Sequence, residues 1–262
     1  MDNSEISARN RLFLTPTSYN TGNTKNSSIQ PLQLGFFVAI SLIFLLLSFL
    51  IWTYPEVVTA PHGSSTGGTS IALLTFLTSL YGIIGFTLLR LSTRTVDQTA
   101  ALWRAMWLGI IIGGGVVVAI CSDLLFGSPS LISMSIWLVV TVAAIGGWGV
   151  TSVRRTHASR LWQYGLITTL WSGIVSALVA VIGEELSLVL SLPRLMLDQL
   201  NNPDYIVWHQ LDLRSYTIAS VLAVSSLGLI LVLIAATVIS VLGSLFSVIW
   251  YQRATDISNT VQ

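Results

Sequence analysis

Apolar positions along this chain do not alternate with polar ones; they run together in six long blocks. The blocks are Leu34–Tyr54, Thr69–Leu89, Leu102–Phe126, Ser130–Val153, Leu161–Gly183 and Tyr216–Leu242. A helix needs roughly 20 apolar residues to cross a hydrocarbon layer of about 30 Å. The pattern therefore predicts an all-α, polytopic integral membrane bundle of six transmembrane helices. The last block belongs to a longer run. Tyr216–Tyr251 would reach about 54 Å as one helix, too short for two spans and a turn. A single tilted span is expected, with Gly243–Tyr251 emerging along the membrane interface, a depth that suits Trp250 and Tyr251.

The polar positions divide the chain into a tail over 1–31, a membrane domain over 32–253 and a short tail over 254–262. Residues 1–31 are rich in Ser, Thr and Asn and read as a disordered tail. That stretch is too long and too polar for a signal-peptide n-region, so the first span is expected to be uncleaved. Composition agrees with the membrane reading. Hydrophobic residues make up 53% of the chain and charged residues 9%, against about 25% charged in ordinary soluble domains.

Charge then orients the spans. Arg9, Arg11 and Lys25 lie in the first tail, and Arg90, Arg94 and Arg104 flank the second connection. Arg154, Arg155 and Arg160 crowd the fourth connection, and Arg253 lies in the last tail. The opposite side receives only Arg194 and Arg214, together with Glu56, Asp123, Glu184, Glu185, Asp198, Asp204 and Asp212. Basic connections stay in the cytoplasm. Both termini are therefore expected to be cytoplasmic, in the cell membrane. The sequon Asn26-Ser27-Ser28 then falls on the side where it cannot be glycosylated.

Local signals refine the boundaries. Thr95-Val96-Asp97-Gln98 fits a capping box at the start of helix 3. Ser128-Pro129 suits an N-cap and first position for helix 4, making helices 3 and 4 a tight hairpin. Pro55–Gly68 reads as a mobile outer loop. Residues 184–215 form the one sizeable insertion. Glu184, Ser187, Ser191, Arg194 and Asp198 recur on one helical face, and Leu188, Leu192 and Leu195 on another. Helix 5 is thus expected to run on, bend near Pro193 and form an amphipathic excursion at the outer interface. Asn201-Asn202-Pro203-Asp204 ends it, and Tyr205 and Trp208 can anchor the return. A shift of 59 residues aligns Leu102-Trp103 with Leu161-Trp162 and Gly114 with Gly173. Apolar segments share letters easily, so chance accounts for this match better than duplication does.

Residue inventory narrows the chemistry. Lys25 is the sole lysine, so no Walker A loop or membrane Schiff base is available. His62, His157 and His209 are scattered, and Cys121, the single cysteine, reads as a small buried packing residue. No cofactor, metal or nucleic acid is expected. A rhomboid-type nucleophile needs Gly-x-Ser-Gly, but Leu170 stands at the first glycine of Leu170-Trp171-Ser172-Gly173. A CAAX-protease motif needs an arginine where Glu184-Glu185 is followed by Val189. No enzyme activity is expected. Thr75, Thr78, Ser79, Thr168, Thr169 and Ser172 could line a neutral-solute path, or could bond back to their own helix carbonyls.

Small residues give a positive signal. Helix 3 carries Gly109-x-x-x-Gly113 and Gly115-x-x-x-Ala119; helix 5 carries Ser172-x-x-x-Ser176 and Gly173-x-x-x-Ala177. This spacing lets backbones approach closely, so helices 3 and 5 are expected at the packed centre. Their packing would bring Asp123, Glu184 and Glu185 together as an outer acidic cluster, which Arg194 or Arg214 is expected to neutralise as an ordinary ion-pair network; the alternative is a place where a hard cation or basic partner sits. The expected role is a non-enzymatic structural or interaction component of the bilayer, working with a membrane-protein partner or a second copy. A small-solute channel or carrier is the alternative, and an intramembrane enzyme comes after it.

Overall fold

The computed structural model describes residues 30–59, 66–92, 96–126, 130–159, 161–200, 205 and 212–260. Six long helices dominate: α1 Gln30–Thr53, α2 Thr66–Ser92, α3 Val96–Phe126, α4 Leu131–Ser159, α5 Trp162–Gln199 and α6 Leu213–Thr260. All six are long and apolar enough to cross a membrane. Among the described residues there is no strand. Their outward faces are apolar, with Phe37, Phe76, Leu138, Val139 and Leu190 well exposed. In water such faces would be costly; against lipid they are not.

Close contacts fix the helix directions. Gly82 and Gly85 of α2 meet Ile40 and Phe36 of α1, in antiparallel register. Gly115 meets Val140 and Gly147 meets Leu108, so α3 and α4 are also antiparallel. Gly109 faces Ser172 and Val175, and Gly113 faces Ser176 and Val179, which makes α3 and α5 parallel. Gly173 meets Ala236 and Gly165 meets Ser244, an antiparallel α5–α6 pair.

α5 is the most buried helix, with the others gathered around it. Leu178, Val181, Leu188 and Leu192 of α5 join Leu74 and Leu77 of α2 and Ile218 and Leu222 of α6 in the main core. Phe36 packs on Trp171 with ring centroids 5.2 Å apart. α5 packs closely against α3, as expected, and also against α6, which uses a second face of it.

Several boundaries differ from expectation. α4 begins at Leu131, and the Ser130 hydroxyl accepts from the Ser133 amide at 3.1 Å. Ser130 is therefore the N-cap, a position assigned above to Ser128, which lies outside the described residues. α3 starts at Val96, as the capping box implies, though Thr95 is not described. Part of the 55–68 connection is ordered: Glu56–Thr59 form a helical turn, Val57 is buried, and Gly67 rests on the Val57 carbonyl. α6 stays helical to Thr260, past the boundary expected at 253. Cys121 is exposed on α3, not buried, since α3 turns its neighbour Ser122 inward. Residues 1–29, Trp208, His62 and His209 lie outside the described residues.

α5 does run on past Gly183. It is continuous to Gln199, with non-helical φ/ψ at Ser191, two residues before Pro193. A proline ring clashes with the preceding turn and bends a helix there. Leu188 and Leu192 are buried beyond the membrane block, while Arg194 and Asp198 are exposed, the amphipathic division that the spacing predicts.

Candidate functional site

The small-residue positions sort into three seams. A Cβ on Gly109 would lie 2.5 Å from the Ser172 carbonyl oxygen, and one on Gly113 would lie 2.6 Å from that of Ser176. These are backbone atoms that cannot rotate away. Gly183 meets Val117 further along the same α3–α5 seam. Gly115 belongs to the α3–α4 seam, with Val140 at 3.1 Å, and Gly173 to the α5–α6 seam, 2.7 Å from the Ala236 methyl. Ala119 and Ala177 are buried. Gly114 has open space where a Cβ would go, unlike its counterpart Gly173 under the 59-residue shift.

A hydrogen-bonded layer joins α4 to α6. Ser152 Oγ donates to the Ser240 carbonyl at 2.8 Å and lies 3.1 Å from Ser244 Oγ. Thr156 Oγ1 donates to Ser244 Oγ at 3.1 Å. Gly165 and Gly243 pack against this layer.

The three carboxylates make separate contacts. Asp123 accepts from Ser133 Oγ and, at 2.9 Å, from Trp137 Nε1, both on α4. Glu184 accepts from Ser225 Oγ of α6. Glu185 is fully buried, and neither of its oxygens has a hydrogen-bond partner. Among the described residues no group of three His, Cys, Asp or Glu side chains could share a metal ion. The arginines on this end have other contacts. Arg194 donates to the Leu125 carbonyl at 3.0 Å, and Arg214 lies over the Tyr54 ring.

The glutamates lie well inside this end of the bundle. Arg194 reaches the end of α3 and lies ten residues beyond Glu184 on α5, a rise of about 15 Å. Ser225 lies twelve residues into α6, about 18 Å from its start. Glu184 and Glu185 therefore stand about 15 Å inside this end of the bundle. α5 continues beyond them as helix to Gln199.

Other polar groups are buried in the bundle. Tyr81 Oη donates to the Leu229 carbonyl. Thr78 of α2 and Ser226 of α6 are both fully buried. Ser226 bonds back to Leu222 at 2.8 Å, whereas Thr78 Oγ1 has no partner. The expected path hydroxyls divide similarly. Ser79 and Thr168 bond back to Thr75 and Tyr164. Thr169 and Ser172 are buried without a partner.

Between α3, α4, α5 and α6 lies a cavity of about 520 Å³. Its walls are almost wholly apolar, with Ile112, Val116, Val140, Ala144, Ala180, Gly228 and Val232 among them. Glu184, Ser225 and Trp137 mark one end, and Trp148 and Ala235 the other. This volume falls in the range of small-molecule sites, which combine apolar walls with few polar groups. The sequence reading named Glu184 but missed Trp137, Ser225 and Gly228. A paired Ser225-Ser226 inside an apolar run was the one available signal.

Comparison with protein families, curated proteins and solved structures finds no match for this chain.

Proposed function

We propose that this chain is a multi-pass protein of the cell membrane, with both termini cytoplasmic, that acts as a non-enzymatic structural or interaction component. Arg and Lys supply the orientation: ten of the twelve fall on the side of the 90–104 and 154–160 connections. The observation that carries the role is where the small and hydroxyl residues go. Gly109, Gly113, Ser152, Gly165, Gly173 and Ser244 are committed to helix–helix seams, close packing of the kind that holds membrane bundles together. The apolar faces of α1, α4 and α6 remain for lipid, for a partner helix or for a second copy.

A small-solute carrier is the second reading. Thr78, Thr169, Ser172 and Glu185 favour it, since buried polar atoms without partners are uncommon and call for an explanation. One experiment separates the two. Gentle extraction and native mass spectrometry should give an assembly heavier than the 28.4 kDa chain if it is a component. A monomer that moves neutral solutes across proteoliposomes would support the carrier and overturn the component reading.

A further inference from the structure

We propose that the slot between α3, α4, α5 and α6 binds a single-chain amphiphile whose head is a primary ammonium, seated on Glu184, with its alkyl chain lying toward Trp148. The slot has the required polarity along its length. From Trp137 to Trp148 on α4, and from Val224 to Ala235 on α6, it runs eleven residues, or about 16 Å. Trp148 and Ala236 pack together as the floor, with Trp148 Nε1 the one polar side-chain atom of the pair, buried without a partner. Below that floor the Ser152–Ser244 contacts hold α4 and α6 together.

The slot is reached from the side. Ile145, Val224, Leu227 and Leu231 line it and are also well exposed, so the slot is open along α4 and α6. A ligand already dissolved in the bilayer can enter between them without crossing water. This favours a membrane-partitioned occupant over a polar solute.

Glu184 selects the head. Ser225 supplies one hydrogen bond to Oε2, and an ionised carboxylate can accept about four. Carboxylates within a membrane pair with another group or mark a ligand. An ammonium brings three donors and no acceptor. A carboxylic head would meet like charge, and a hydroxyl brings one donor only. Trp137 lies at the same level, since Val140 meets Gly115 while Gly183 meets Val117. Its N–H is held by Asp123, so the indole is fixed beside the head, where an aromatic ring also favours a cation.

The test uses the full chain in phosphatidylcholine nanodiscs. A long-chain primary alkylamine is titrated against melting temperature, beside the alcohol and carboxylic acid of the same chain length. The amine should raise the melting temperature saturably, with a midpoint at least about tenfold below that of the alcohol. The acid should give no saturable shift. Glu184→Gln should erase the tenfold preference while the alcohol response stays. Gly228 lines the slot, and its added Cβ meets nothing within 4 Å, so Gly228→Leu should fill the slot and abolish both responses. Equal midpoints for amine and alcohol on the wild type would overturn the proposal without recourse to any variant. So would an unchanged amine midpoint in Glu184→Gln.

Discussion

Gly113 rests against Ser176 so closely that a Cβ there would stand 2.6 Å from the Ser176 carbonyl oxygen. The next residue, Gly114, has nothing within 4 Å of the same position. Two adjacent glycines therefore answer different questions. Gly113→Ala should lower stability by about 1–3 kcal/mol, because a backbone seam must open. Gly114→Ala should be neutral or slightly stabilising, since alanine favours helix. Melting of both variants in the same detergent checks the difference. Equal losses would mean that α3 and α5 do not meet at Gly113.

Asp123 ties the α3–α4 hairpin through Ser133 and Trp137. Hydrogen bonds to charged groups contribute about 1.5–3 kcal/mol. Asp123→Ala should cost an amount in that range, and Trp137→Phe should cost much less once Asp123 has been removed. A double-mutant cycle measures that coupling. Additive losses would remove the contact.

In the α4–α6 layer, packing should outweigh polar bonding. Hydrogen bonds between membrane helices average only about 0.6 kcal/mol. Ser244→Ala should therefore be mild. Gly165→Ala should be more damaging, because its methyl would collide with Thr156 Oγ1 and approach the Ser152 carbonyl at 2.8 Å. Thermal unfolding ranks the two, and the opposite order would show that hydroxyl bonding dominates this layer.

Glu185 is fully buried with both carboxyl oxygens unpartnered. A buried polar group without a partner costs free energy, and a well-packed apolar residue of similar length removes that cost. Glu185→Met should raise the melting temperature in detergent. A fall would show that the carboxyl group has a stabilising partner in the native protein.

Much of this fold is legible from the chain. Unbroken apolar runs require helices long enough to span a bilayer, and all six are present. Pro193 correctly marks the bend in α5, because its ring opposes the preceding helical turn. The Gly109 and Gly113 spacing points to the α3–α5 seam. What composition hides is direction. Gly115 and Gly173 have the same small-residue spacing yet face α4 and α6. In a lipid-surrounded helix the apolar pattern does not distinguish one neighbour from another. The slot escaped notice because four helices separated in sequence form it.

A reporter scan tests the proposed topology, six spans with both termini in the cytoplasm, most directly. Fusions after residue 30, within 91–101, within 154–160 and after 253 should all report cytoplasm. Fusions within 56–67 and 199–212 should report the exterior. An exterior signal from 154–160, the connection densest in arginine, would contradict the account.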